Sequence, residues 1–171
     1  VQAAENQIAV GQQAQAVGNR YQEGLALTAL GLIMEQGGDT RQAEALWGKA
    51  LQFSQVLGAN FDQATIHLNL AGLCRQEGRD EESRSHLDQA LALSRQYGYD
   101  FLFTGRERRR ALPLLVAALG QETSQVHCSE ASRLLAACGQ EAVDPLLALL
   151  AAGQAPAKVQ ERAVRLLGEI G

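Results

Sequence analysis

The chain has 171 residues, 46% hydrophobic but only 5% aromatic, so its apolar content is largely Ala and Leu, the strongest helix formers. A net charge of −4 supplies no basic field to gather nucleic acid. No uninterrupted apolar run of about 18 residues marks a transmembrane span, and no charged segment followed by an apolar core marks a secretory signal. Cys74, Cys128 and Cys138 are odd in number and form no C-x-x-C pair. They argue against a disulfide framework and for a reducing, cytoplasmic setting.

The sequence begins at Val1 in mid-pattern, as a fragment of a longer protein would. Residues 1–17 read as the second helix of a truncated unit, although Gln7 and Gly11 are poor core residues. A forty-residue period then governs the chain. Gly18, Gly58 and Gly98 align, as do Tyr21, Phe61 and Phe101; Gly38 meets Gly78, Trp47 meets Leu87, and Ala50-Leu51 meets Ala90-Leu91. Each glycine falls where a helix must stop, because a left-handed residue after the last turn suits Gly best. The aromatic three positions later is expected to open the next helix and plug the joint between hairpins.

Within a period the pattern is helix, tight turn, helix. Residues 22–36 carry Leu27, Leu30 and Met34 at helical spacing, and Gly37-Gly38-Asp39 break it. Residues 43–57 resume with Ala43, Trp47, Ala50 and Leu51 on one stripe. The second copy runs over 62–76, turns at Gly78-Arg79-Asp80, and continues over 82–97, with Asp80-Glu81-Glu82 as a helix-start signal. Small residues at Gly31/Ala71, Ala43/Ser83 and Ala50/Ala90 stand where two helices must approach closely. The architecture expected is all-α: a right-handed α-solenoid of antiparallel helical hairpins.

Residues 98–104, Gly-Tyr-Asp-Phe-Leu-Phe-Thr, precede a basic cluster of Arg106, Arg108, Arg109 and Arg110. Solvated charge at a helix edge, pairing with carboxylates elsewhere in a parent protein, and anion or partner contact are its three readings. These arginines also oppose the dipole of the helix they open. Near residue 111 the period becomes thirty-two: Pro113-Leu114-Leu115 meets Pro145-Leu146-Leu147, Ala131 meets Ala163, Arg133-Leu134-Leu135 meets Arg165-Leu166-Leu167, and Gly139 meets Gly171. Proline suits the first turn of a helix, so Pro113 and Pro145 read as helix starts. The boundary between repeat types falls at 104/105.

Candidate chemistry is sparse. His67 and Cys74 lie seven apart on one helix face, but two ligands are too few for a metal site. His127 and Cys128 are adjacent and point apart, whereas a base must converge on its thiol. Cys74 and Cys138 occupy core positions. No catalytic pair, metal site or cofactor motif emerges, and the expectation is a protein that is not an enzyme.

The forty-residue units resemble tetratricopeptide repeats: the small residue of the first helix at Gly31 and Ala71, the turn glycine at Gly38 and Gly78, and the second-helix set Ala43, Trp47, Ala50 and Ser83, Leu87, Ala90. Against that family's 34-residue unit these carry about six extra residues, and glycine replaces the closing proline. Residues 163–171, Ala-Val-Arg-Leu-Leu-Gly-Glu-Ile-Gly, are similar to the second helix of short bacterial HEAT-type repeats of the bilin-lyase kind. The 98–104 block resembles the end of the repeat region in maltose-activator-type bacterial transcriptional regulators, which sense an inducer or partner protein.

The tetratricopeptide resemblance implies a concave groove lined by first helices. Its lining would be Thr28, Leu32, Glu35 and Gln36 in one unit and Thr65, Leu68, Asn69, Gly72, Arg75 and Gln76 in the next. The function expected is a partner-binding scaffold or sensor in a larger cytoplasmic regulator, with a protein or peptide in the groove and a change of solenoid curvature as the signal. The alternatives are a lyase-like or chaperone-like accessory protein and direct sensing of a small-molecule inducer. Neither nucleic acid nor membrane is expected as a partner.

Overall fold

The computed structural model describes residues 2–105, 107–120 and 125–171, the side chains of 125–127 excepted. Every regular element among the described residues is helical. The order is α1 (Gln2–Ala16), α2 (Arg20–Gln36), α3 (Thr40–Leu57), α4 (Asn60–Gln76), α5 (Asp80–Tyr97), α6 (Asp100–Thr104), α7 (Arg108–Ala118), α8 (Gln125–Cys138), a 3₁₀ turn (Gly139–Ala142), α9 (Val143–Ala151) and α10 (Ala157–Ile170). The chain divides into two compact units, Val1–Leu93 and Ser94–Gly171. That division lies within α5, ahead of the change in period at 104/105.

The glycine period marks the helix ends. Gly18, Gly38, Gly58, Gly78 and Gly98 all take left-handed φ between 65° and 85° just past a helix. The second residue after each glycine starts the next element, so the helices begin two or three residues ahead of the apolar pattern. The first two starts are capped: Asn19 Oδ1 accepts from the Gln22 amide and Asp39 Oδ1 from the Gln42 amide, both at 3.1 Å. Each cap satisfies a donor that the first turn leaves without a helical partner.

In the first unit α1 packs on α2, α2 on α3 and α3 on α4, and α2 also touches α4. Consecutive neighbours plus a contact to the helix after next are what stacked hairpins produce. The core joins Ala43, Trp47 and Ala50 of α3 to Ile66, Leu70 and Leu73 of α4, with Leu27, Leu32, Met34 and Leu51 against it. Gly31 explains how α2 approaches. A Cβ there would stand 2.3 Å from Trp47 Nε1, so only glycine lets the indole lie on the helix backbone and donate to the Thr28 carbonyl at 3.1 Å. In the next period Ala71, the counterpart of Gly31, is met by Ser83, the counterpart of Ala43, whose Oγ donates to the Ala71 carbonyl at 2.8 Å. At Gly11, an unpromising core residue in α1, an added Cβ would lie 3.6 Å from the Ala26 Cβ, an ordinary contact distance.

In the second unit α6 packs on α7, α7 on α8 and α9 on α10, while α7 also touches α9 and α8 touches α10. Pro145 stands in the first turn of α9 as expected, but Pro113 does not start a helix. It is the sixth residue of α7, which begins at Arg108. The chain from Cys128 to Ala151 is long and apolar enough to cross a membrane by length and composition alone. It is divided into α8 and α9 at Gly139, whose φ is +59°.

Candidate functional site

The residues expected to line a groove have different surroundings in the two periods. On α2, Thr28, Leu32 and Glu35 are half-buried and Gln36 is exposed. On α4, Leu68, Asn69 and Gly72 are buried, with Leu68 at 0% and Asn69 at 1% exposure. Burial runs unbroken from Ile66 to Cys74, so α4 offers no open inner face along that stretch; Thr65 stays half-buried and only Arg75 and Gln76 emerge. The reason is legible in the helix itself. Ile66, Leu68, Leu70, Ala71, Leu73 and Cys74 surround its axis, and a helix apolar all round is a buried one.

Solvent-facing apolar surface gathers instead where α2, α3 and α4 meet. Tyr21, Phe61 and Phe101, expected to plug joints, are 47%, 39% and 57% exposed. Tyr21 and Leu25 of α2 and Leu57 of α3 are all exposed, and they line one cleft with Gly24, Thr28, Phe53 and Ile66. Arg20 and Asp62 add opposite charges to its lining, and burial pushes the Asp62 carboxyl above its ordinary value. Thr28 turns its hydroxyl to the Gly24 carbonyl at 3.0 Å, which leaves its methyl group as the less polar end. The cleft is a notch of about 10 Å³. That volume suits the tip of one side chain, far below the roughly 300–1,000 Å³ of small-molecule sites.

Two titratable clusters lie elsewhere in the first unit. His67 of α4 meets His86 of α5, a partner that single-helix spacing could not reveal, with Nδ1 atoms 3.0 Å apart. Burial lowers the pKa of His67 to about 4, and the neighbouring His86 acts in the same direction; burial lowers His86 too. Both rings are therefore neutral at pH 7, one donating and the other accepting. Glu44, Cys74 and Glu82 bring potential ligand atoms within 4.8 Å of one another. The Arg79 guanidinium already spans them, forking onto Glu44 at 3.0 Å and reaching Glu82 at 2.8 Å. Burial raises the Cys74 thiol, so it stays protonated beside the ion pairs. The arrangement is that of a neutralised arginine.

In the basic cluster Arg106 lies outside the described residues. Arg108, Arg109 and Arg110 form the first turn of α7. Arg108 is ion-paired with Glu141 and donates to the Thr104 carbonyl at 3.2 Å, Arg110 is also engaged, and Arg109 is exposed. Part of the charge opposing the dipole is thus met within this chain. The side chain of His127 lies outside the described residues, and the buried Cys128 thiol donates to the Leu119 carbonyl at 3.7 Å. No family model, curated protein or solved structure matches the chain.

Proposed function

We propose that the first unit is a protein-interaction module which holds an apolar side chain of a protein or peptide partner in the α2–α3–α4 cleft. The observation that carries this is the exposed set Tyr21, Leu25 and Leu57 lining the cleft. Large apolar groups around a notch, with a charge of each sign close by, suit an anchor residue of a partner better than a free ligand. The forty-residue period, with Gly31 matched by Ala71 and Ala43 by Ser83 where helices approach closely, supports the tetratricopeptide-like reading. On that reading the module is non-enzymatic and belongs to a larger cytoplasmic regulator. Three buried free thiols are in keeping with a reducing compartment. The notch is too small to favour inducer sensing there.

Selection of peptide binders against the whole 171-residue chain tests the proposal. Peptides with an apolar anchor should perturb the amide resonances of Gly24, Leu25 and Leu57. Leu57→Asp should weaken them at least about tenfold, the cost of burying a charge in place of an apolar group. Binders that map elsewhere, or that hold Leu57→Asp equally well, would refute it.

A further inference from the structure

Between α8 and α10 in the second unit lies a cavity of about 390 Å³, lined by Cys128, Ser129, Ser132, Arg162 and Arg165. Among the described residues its lining holds two guanidinium groups and two hydroxyls and no carboxylate. Arg162 donates to the Leu119 carbonyl at 2.9 Å. That neutral acceptor fixes the guanidinium without cancelling its charge, and leaves further N–H donors on the fork. The carboxylate near Arg165 is Glu169, at a loose 3.9 Å on an exposed turn of the same helix. Ser132 donates its one proton to the Cys128 carbonyl at 2.8 Å, so the donors the site offers an anion are those of the two guanidinium groups.

We propose that this cavity is a binding site for an oxyanion, the phosphate or carboxylate borne by a peptide. A phosphate monoester or carboxylate offers several acceptor oxygens to two planar forks, the geometry in which arginine binds anions most strongly. The space is open to solvent and, at about 390 Å³, is large enough to admit the anionic end of a side chain. The site is distinct from the basic cluster at the start of α7, where Arg108 already has Glu141.

The test follows the arginine Nε–Hε resonances of the whole chain while sodium phosphate, a phosphoserine heptapeptide and its glutamate counterpart are added in turn, at low ionic strength where exposed charges are least screened. Saturable shifts at Arg162 and Arg165 are expected. Arg165→Gln should weaken binding about tenfold by removing one charge-assisted contact, while Arg109→Gln, an equal loss of charge at an exposed position of α7, should leave it within about twofold. Tighter binding of the phosphoserine peptide identifies phosphate as the group, and tighter binding of the glutamate peptide identifies carboxylate; both support the site. Absence of saturable shifts with all three probes, or equal weakening by Arg109→Gln, overturns it. Because Arg165 is two-thirds exposed, its variant retains the fold.

Discussion

At Gly31 the absence of a side chain is itself a contact. Alanine would bring Cβ within 2.3–2.8 Å of three atoms of the Trp47 ring, which is fully buried and cannot retreat. Gly31→Ala should therefore cost about 1–3 kcal/mol, the usual penalty of overpacking. Gly48, also inside a helix, has nothing within 4 Å of the point a Cβ would occupy, so Gly48→Ala should add about 0.5–1 kcal/mol. Urea denaturation of the two variants reads both signs, and a stable Gly31→Ala would contradict the close approach. The histidine pair gives a second prediction at this scale. His67 has a folded pKa near 4 against 6.5 in a free chain, so protons favour the unfolded state between those values. Stability is complete above about pH 6.5 and falls as pH drops toward 4. The loss is about 2 kcal/mol, since solvent screening reduces the full 1.36 kcal/mol per unit. Glu44, Glu82 and Arg79 also act on His86, so the control must leave them in place. The forty-residue shift sets Leu27 and Leu46 at the equivalent positions. The double variant His67→Leu/His86→Leu should flatten the pH dependence over that range, and an unchanged slope would mean that other groups set it.

Single helices carry the next predictions. Asp39 caps α3 through the Gln42 amide, and Asp39→Ala should cost about 1 kcal/mol in thermal or urea unfolding. Pro113 sits inside α7, where it removes the bond its nitrogen would make to the Arg109 carbonyl. Pro113→Ala should raise the melting temperature, with a gain of about 1–3 kcal/mol; a loss would mean that the ring's packing outweighs the missing bond. Position on a helix is also where legibility in the sequence ends. The helix ends are legible because glycine answers a backbone demand that no neighbour can alter, and the small residues Gly31 and Ala71 because close approach leaves few substitutes. Whether α4 lines a groove is not legible from a repeat pattern alone. Its polar residues His67 and Asn69 have the character of exposed positions on two sides of the helix, yet the apolar residues all round it leave both buried. The cleft escapes the sequence for the opposite reason. Tyr21 has the size of a core residue, and only the packing of three helices decides that it faces water. His86 is hidden because its partner is on another helix, out of reach of spacing along one.

For the chain as a whole, the forty-residue period has the strongest consequence. If it is a structural unit, excising residues 20–59 removes α2 and α3 and joins equivalent points of successive hairpins. Excising residues 20–49 removes less chain but cuts α3 and leaves its apolar stripe without a partner. Far-ultraviolet circular dichroism during thermal unfolding of the two shortened chains is the most direct measurement. A true forty-residue unit predicts helical content per residue close to that of the full chain and a single cooperative transition for the longer excision, and loss of that transition for the thirty-residue one. Equal disruption by both excisions, or a better-folded chain after the shorter cut, would contradict the repeat on which the fold and the proposed binding surface rest.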